Sequence, residues 1–276
     1  MRASALPSLE RAFRIAGALF CLWLAGAALA APDCAADRID DRVRVRHVTD
    51  GDTLILGDGR HLRLIGVNTP EMGRDGEPDE PGAIAARDHL RRLVFVNGNQ
   101  VALRYDRERQ DRYGRVLAHL FLRDGRNVAA LLIAAGAGFP ITIPPNDWQA
   151  DCYRRLGEAA RAAGLGVWSE PRLGPLDTER LSPRERGFRR VRGRVSHVSE
   201  SRGAVWINFG RGFALRIRRD HLPRFADLDL QALAGRRVEA MGWLYYRRGQ
   251  LRMSLVHPSA LRVLDTEANV TEEETP

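Results

Sequence analysis

Apolar and polar residues alternate along several short segments in the first half of the chain, as they do in half-buried strands. Five segments fit this pattern: 43–46, 53–57, 61–67, 101–105 and 115–122. Three others have helical periodicity: 83–94, 128–135 and 147–163. Asp58-Gly59 predicts a hairpin turn, Gly136 and Gly164 predict helix ends, and Asn146 is a plausible N-cap of the last helix.

A second block with a similar pattern follows a segment rich in proline. Pro171, Pro175 and Pro183 lie in residues 170–185 without regular periodicity, so this segment is predicted to be a linker. Beyond it, strands are predicted at 191–198, 205–209, 213–218, 237–245 and 251–256, with a helix at 221–234. Both blocks therefore begin with three strands, a helix and two strands, which is the element order of an OB-fold barrel.

The predicted fold class is mostly β with helices (α+β). A five-stranded OB-fold barrel with added helices is followed by a second, smaller OB-like barrel. The predicted boundaries are 1–30 for a signal peptide, 41–170 and 187–265 for the two domains, 171–186 for the linker and 266–276 for an acidic, disordered tail.

The N-terminus has the layout of a secretory signal. Arg2, Arg11 and Arg14 precede an apolar run that ends in Ala28-Leu29-Ala30, a small-x-small cleavage pattern. We expect export to the periplasm or the medium, without stable membrane association after cleavage. The alternative is an uncleaved membrane anchor, for which a run of about 16 residues is short.

Two cysteines, Cys34 and Cys152, follow the predicted signal. In an oxidising compartment such a pair favours one disulfide, which would tie the N-terminal arm to a late helix. The alternative is that Cys152 is simply a small apolar residue on the face of a helix that it shares with Trp148 and Leu156.

The net charge of +8 is unevenly distributed. Residues 31–171 contain 20 Arg against 21 acidic residues, whereas residues 172–262 contain 20 Arg against 8. The second block therefore has a net charge of +12 and is expected to attract a polyanion. Among its aromatic residues, Tyr246 beside Arg247 and Arg248 is the best surface candidate.

Four short strings in the first block contain residue types that carry chemistry: Asp50-Gly51-Asp52-Thr53, Arg63-Leu64-Ile65-Gly66-Val67, Asn68-Thr69-Pro70-Glu71 and Asp111-Arg112-Tyr113-Gly114-Arg115. Clustered carboxylate and amide oxygens suit a hard cation such as Ca²⁺. Arginines beside a cation stabilise the charge that grows on a phosphodiester in its transition state. A glutamate near the metal can accept a proton from the attacking water.

Each string alone has an ordinary structural explanation. Asp50-Gly51-Asp52 is more typical of a turn than of a metal site. Arg63 fits a surface position on a strand, and Tyr113-Gly114 fits a hairpin turn. Only the joint occurrence of the strings, in this order and spacing, is specific.

Together these strings resemble the staphylococcal nuclease (thermonuclease) family, and the resemblance covers residues 43–168, including the helix that ends in Leu165-Gly166-Val167-Trp168. The resemblance implies an OB barrel with helices and Ca²⁺-dependent hydrolysis of DNA and RNA. It implies that Asp52 binds the metal, with Asp50 behind it and a backbone carbonyl from Thr69. Glu71 corresponds to the general base, Arg63 and Arg115 to the pair that stabilises the phosphorane, and Tyr113, beside Arg112, to a phosphate-binding position.

Three departures from the family pattern change what we expect. Asn68 stands where the founding member has a second aspartate, so metal affinity and ion preference are expected to differ. Ile141 and Ile143 replace base-stacking tyrosines, which removes stacking contacts. The catalytic block is about neutral, whereas the founding enzyme is basic.

The sequence therefore predicts an exported, monomeric, metal-dependent nuclease with a basic accessory domain and a DNA or RNA substrate. The alternative is a nucleic-acid-binding protein of the same fold that has lost catalysis, with Asn68 as the mark of decay.

Overall fold

The computed structural model describes residues 34–73, 75–210 and 212–264. The described residues all belong to one compact unit. The predicted signal peptide and the predicted acidic tail lie outside the described residues. Within the described part of the chain, no helix is long and apolar enough to span a membrane.

The described residues are mostly β with three α-helices, as predicted. The strands are β1 Asp41–Val48, β2 Thr53–Leu56, β3 His61–Leu64, β4 Val67–Asn68, β5 Gln100–Arg104, β6 Val116–Phe121, β7 Phe139–Pro140, β8 Leu176–Asp177, β9 Gly187–Arg194, β10 His197–Ser201, β11 Ala204–Phe209, β12 Phe213–Arg218, β13 Arg237–Arg247, β14 Gln250–Leu255 and β15 Leu261–Val263. The helices are α1 Ala83–Val96, α2 Val128–Ala134 and α3 Ala150–Ala162. Short 3-10 helices cover Gly166–Trp168, Pro171–Leu173, Leu222–Phe225, Gln231–Leu233 and Pro258–Ala260.

Five strands close into what we call the first barrel, in the order β1-β2-β3-β6-β5. A single strand, β1, closes it, because its first half pairs with β5 and its second half with β2. A register shift between Val45 and His47 lies within the half that pairs with β2. The interior is filled by fully buried Leu residues that include Leu54, Leu62 and Leu120.

Helices α2 and α3 pack beside the first barrel, and a Cys34–Cys152 disulfide joins the N-terminal arm to α3. The bridge spans 118 positions of sequence and belongs to the apolar core of this region. Tyr153, the residue after Cys152, is buried, and Asn127 Nδ2 donates to its hydroxyl oxygen at 2.9 Å. The pairing is the one that the sequence suggested, and it holds the arm that leads into β1 against α3.

Strands β8 to β15 form a separate sheet, the second sheet, with its own apolar core. Its main path is β10-β11-β12-β14-β13-β9-β8, and β15 pairs with β13. The parallel pair β12–β14 corresponds to the parallel pair β3–β6 of the first barrel. The second sheet is barrel-like but not closed, because the strand that would close it is divided into β9 and β10.

Three local predictions were wrong. Asn146 does not cap α3; it bonds the backbone of Glu108, and Gln149 is the residue at the N-cap. The segment 221–234 contains two short 3-10 helices, Leu222–Phe225 and Gln231–Leu233, instead of one continuous helix. The predicted linker contains β8, which pairs in parallel with β9.

The first barrel and the second sheet are joined by a buried ion cluster. Arg161 of α3 donates to both carboxylate oxygens of Glu239, at 2.8 and 2.7 Å, and Arg190 Nε donates to Glu239 Oε1 at 3.0 Å. Burial alone would raise the pKa of Glu239, but the hydrogen bonds and charges of the two arginines outweigh it and hold the pKa below its ordinary value. The contact fixes α3 against strands β9 and β13.

Candidate active site

The first functional string forms a buried turn between β1 and β2. Asp50 and Asp52 are 2% and 1% exposed, and the Asp52 amide donates to Asp50 Oδ1 at 3.2 Å. A Cβ atom at Gly51 would lie 2.7 Å from atoms of Ala86 and Thr69, so only glycine fits this turn. The turn that carries both aspartates is therefore in close contact with Ala86 of α1 and with Thr69.

Strands β3 and β4 bring Arg63 and Asn68 to the same place. Arg63 Nη1 forms an ion pair with Asp52 Oδ1, and Nη2 donates to Asn68 Oδ1 at 2.9 Å. The Thr69 amide donates to Asp52 Oδ2 at 2.8 Å. The side chain of Asp52 is therefore held from both sides, between a guanidinium group and the backbone of Thr69.

Glu71 follows this cluster at the start of the polar loop 72–81. Its backbone amide donates to Glu80 Oε2 at 3.0 Å, and the Glu80 amide donates to the Glu71 carbonyl at 2.9 Å. Glu71 is exposed, in contrast to Asp52. The two reciprocal bonds fix the backbone of Glu71 at the mouth of the site.

Arg115 is placed by the turn before β6. Asp111 Oδ1 accepts hydrogen bonds from the amides of Tyr113 and Arg115, and Asp111 Oδ2 accepts one from Arg115 Nε at 2.7 Å. Tyr113 is 68% exposed, and the guanidinium of Arg112 lies 4.7 Å from its ring centre. Burial alone would raise the pKa of Asp111, but the hydrogen bonds from Arg115 hold it below its ordinary value.

One cavity of about 630 Å³ unites most of these side chains. Its lining includes Arg63, Asn68, Glu71, Asp111, Arg112, Tyr113 and Arg115. Asp50, Asp52 and Thr69 are not part of this lining; they lie behind it and connect to it through Arg63 and Asn68. The structure therefore separates a buried carboxylate cluster from an open cavity rich in arginine.

The charge of Arg63 is balanced by several carboxylates. Burial lowers the pKa of its guanidinium to about 10, and the charges of Glu71 and Asp50 limit the fall. Arg63 thus remains a cation at neutral pH, and the cavity is lined by the guanidinium groups of Arg63, Arg112 and Arg115 together with the exposed carboxylate of Glu71.

The side-chain donor atoms around Asp52 are of the type that a hard cation takes, but in this structure Arg63 pairs with Asp52 Oδ1 and donates to Asn68 Oδ1. Two aspartates, the Asn68 amide oxygen and the Thr69 carbonyl supply only oxygen, which Ca²⁺ and Mg²⁺ prefer. Thr69 Oγ1 is also buried without a hydrogen-bond partner. Among the described residues no group of three or more His, Cys, Asp or Glu is close enough for a metal, so a cation here would depend on the amide and the carbonyl as well as on the carboxylates.

The sequence matches known proteins in the same region. A model of the staphylococcal nuclease homologue family matches residues 61–170. The chain is 35% identical over 128 residues to the thermonuclease of Staphylococcus intermedius, covering 45% of this chain and 74% of that protein. It is 40% identical over 82 residues to the thermonuclease of Staphylococcus hyicus (29% and 47% covered), and 30% identical over 134 residues to endonuclease YncB of Bacillus subtilis (46% and 62% covered).

A closed five-stranded barrel with a cavity rich in arginine beside buried aspartates thus coincides with a family match. The chain belongs to the staphylococcal nuclease family. The family match ends at residue 170, so the membership concerns the first barrel and its helices.

Four residues of the cavity lining were not predicted as site residues from the sequence: Glu108, Leu117, Asn146 and Trp243. Trp243 of β13 lines the same cavity as Arg63 and Arg115. Its position 128 residues after Arg115 gives no local signal of this proximity. Tyr246, the surface candidate from the sequence, is exposed, but it pairs with the core residue Leu251 and so lies on the other face of the sheet.

Proposed function

We propose that the chain is an exported, Ca²⁺-dependent nuclease that hydrolyses the phosphodiester bonds of DNA or RNA in the cavity of the first barrel. Its class, a phosphodiester-hydrolysing nuclease, follows from its family membership. The metal, the roles of single residues and the export are the proposal.

The observation that carries this proposal is the shared cavity of Arg63, Glu71 and Arg115. Arg63 and Glu71 lie eight positions apart, whereas Arg115 comes 44 positions after Glu71. The fold gathers the three side chains around a space large enough for a phosphodiester. Two fixed cations and one accessible carboxylate are the groups that a hydrolytic attack on phosphate requires.

The residues then have distinct roles. Glu71, exposed to water, accepts a proton from the attacking water as its oxygen bonds to phosphorus. Arg63 and Arg115 stabilise the negative charge that grows on the phosphate oxygens until the bond to the leaving oxygen breaks and that oxygen takes a proton from solvent. Asp111 holds Arg115 in position through its two carboxylate oxygens.

Asp52, Asn68 and the Thr69 carbonyl would hold the cation, with Asp50 in support. When bound, a divalent cation supplies Lewis-acid polarisation of a phosphate oxygen and lowers the pKa of a water. Tyr113 and Arg112, at the exposed rim, would bind a neighbouring phosphate.

The decisive experiment measures cleavage of plasmid DNA and of RNA by the native chain in Ca²⁺, Mg²⁺, Mn²⁺ and EDTA. We expect cleavage that depends on the cation. Glu71→Gln and Arg115→Ala should each lower the rate by about 10² to 10³ with folding intact. Glu77→Gln, which changes an exposed glutamate in the same loop outside the cavity lining, is the matched control and should keep the native rate.

The alternative, an inactive binding protein, makes the opposite prediction. Tight, salt-sensitive binding to DNA without cleavage in any cation would establish it. Full activity of Glu71→Gln would instead remove Glu71 from the role of general base.

Export has a separate test. N-terminal sequencing of the chain recovered after expression in a Gram-negative host should give a first residue of Ala31 in the periplasmic or extracellular fraction. The Cys34–Cys152 bridge supports this proposal, since disulfides persist in oxidising compartments. Recovery of the uncut chain in the membrane fraction would favour the anchor instead.

A further inference from the structure

The second sheet places an aromatic side chain directly in the catalytic cavity. Trp243 of β13 is 46% exposed and shares the cavity with Arg63, Tyr113 and Arg115. The indole belongs to the basic region beyond the family match, whereas the reactive groups belong to the first barrel. The cavity is therefore built by both parts of the chain.

The position of Trp243 is fixed by a chain of ring contacts. Its ring meets Phe188 edge-on at 5.1 Å, and Phe188 lies 5.7 Å from Phe139. Phe139 in turn pairs through its backbone with Asn68, since β7 and β4 are antiparallel. Trp243 is thus coupled through two rings to the strand that carries a proposed metal ligand.

The same face of the second sheet continues away from the cavity. A second, apolar cavity of about 380 Å³ is lined by Ile143, Trp243 and Tyr245 and adjoins the catalytic one through Trp243. Tyr245 pairs with Arg252 across β13 and β14, and directly opposite residues of paired strands share a face. The surface therefore changes from apolar to cationic within one strand spacing.

Further along, Trp206 completes the row. It pairs with Arg216 of β12, and the guanidinium groups of Arg216 and Arg252 lie 5.6 and 4.7 Å from its ring centre. We call Trp243, Tyr245, Arg252, Arg216 and Trp206 the aromatic–arginine face. It extends over β13, β14, β12 and β11, which is three strand spacings or about 14 Å.

The chemistry of this face suits unpaired nucleotides. Trp243 is exposed, and Tyr245 and Trp206 are partly exposed. Such rings provide surfaces on which bases stack, and the interleaved guanidinium groups pair with the phosphates between them. In a duplex the bases are already stacked on one another, so their faces are not available to Trp243 or Trp206. The net charge of +12 on residues 172–262 favours the approach of any polyanion, but the rings select a single strand.

We propose that the aromatic–arginine face is a binding site for single-stranded DNA or RNA that delivers the strand to the catalytic cavity, with Trp243 stacking on a base beside the scissile phosphate. The delivery of the strand to the cavity rests on the proposed nuclease function, whereas the binding of the strand to the face does not.

The test uses the full chain with Glu71→Gln, so that the substrate is not consumed. Fluorescence anisotropy would measure the Kd of a labelled 12-nucleotide single strand at fixed salt. Trp206→Ala and Trp243→Ala should each weaken binding about 10-fold. Trp206→Phe and Trp243→Phe should restore most of the affinity, because phenylalanine retains a stacking ring.

Tyr246→Ala is the matched control. Tyr246 lies on the same strand as Trp243 and is equally exposed, at 46%, but it is on the other face of the sheet. Its replacement should leave Kd within twofold. Arg216→Gln with Arg252→Gln should lower the slope of log Kd against log salt by about 1.4, since each single-strand phosphate contact contributes about 0.7.

The outcomes separate this proposal from the nuclease proposal. Unchanged Kd in both tryptophan-to-alanine variants would overturn the face as a binding site, whatever the activity of the native chain. Equal losses on a 12-base-pair duplex would show that the face binds backbone charge and would overturn single-strand selection. If the native chain cleaves nothing but the variants still lose affinity, the binding site stands and the nuclease function fails.

Discussion

The first barrel and the second sheet share an order of strand pairings, but they differ at the strand that would close each barrel, and the second sheet has the additional strands β8 and β15. In the first barrel β1 runs without interruption, and its two halves pair with β5 and β2. In the second sheet the corresponding strand is split: β9 pairs with β13 and β10 with β11. At the break, Val195 bonds to Arg236 and Ser196 to Asn208 through their backbones.

The two regions also differ in the charged side chains that the shared topology carries. The first barrel buries Asp50 and Asp52 behind a cavity, whereas the second sheet presents arginines such as Arg216 and Arg252 on its outer face. A closed barrel can hold carboxylates rigidly enough for a cation, while an open sheet offers a broad surface. The comparison suggests that one region performs the chemistry and the other holds the polymer.

Loss of the disulfide should cause the largest loss of stability, and the loss should affect the first barrel. Replacing both Cys34 and Cys152 with Ser removes a cross-link of 118 positions and should cost about 4 kcal/mol of unfolding free energy. Urea denaturation followed by tryptophan fluorescence would measure it. Reductant should lower the urea midpoint of the native chain by the same amount and leave that of the double variant unchanged. Equal midpoints of the two proteins without reductant would show that the bridge contributes nothing to stability.

Breaking the ion cluster should uncouple the two regions. Glu239→Gln leaves Arg161 and Arg190 without their buried counter-charge and should cost about 3 kcal/mol. Thermal denaturation would show this as a lower or divided transition. Glu200→Gln is the control, because its partner Arg219 and Glu200 itself are both about half exposed, and it should cost less than about 1 kcal/mol. Equal effects of the two changes would contradict the coupling.

The same cluster predicts a dependence on pH. The pKa of Glu239 is lowered on folding, so its contribution to stability is fully present above its ordinary value of 4.5 and is lost as pH falls through the folded value. The stability difference between the native chain and Glu239→Gln should therefore be constant near neutral pH and shrink below pH 4.5. A difference that stays constant down to acid would argue that Glu239 acts only through its shape.

The smallest expected free-energy change is in the affinity for Ca²⁺ at the proposed metal ligands. Asn68→Asp adds one charge to the oxygen donors and should tighten Ca²⁺ binding about 10-fold, or about 1.4 kcal/mol. Isothermal titration calorimetry would measure the change in Kd. Asn208→Asp on the second sheet, the control, should leave it unaltered. An unchanged Kd in Asn68→Asp would place the cation away from Asn68.

Sequence reasoning succeeded where the signal is local. Alternation located the five strands of the first barrel to within a few residues, and the four strings identified the residues that the fold gathers near Arg63. In the second sheet the single strand predicted at 191–198 was wrong, because the chain there is divided between β9 and β10. Sequence reasoning failed where a local pattern competes with tertiary contacts. Asn146 is a residue type that often caps helices, but its side chain accepts a hydrogen bond from the backbone amide of Glu108, 38 positions away. The proline-rich segment 170–185 looked irregular, yet β8 gains a partner in β9.

The sequence by itself determined the family, the strand pattern of the first barrel and most of the polar residues that line its cavity, because these depend on side-chain type and short spacing. Only the tertiary structure decided which residues of the second sheet contact the first barrel and its helices. Trp243 reaches the cavity through its contact with Phe188, and Glu239 finds Arg161 across 78 positions of sequence. Such contacts depend on how two independently patterned regions pack together, and no periodicity within either region specifies that packing.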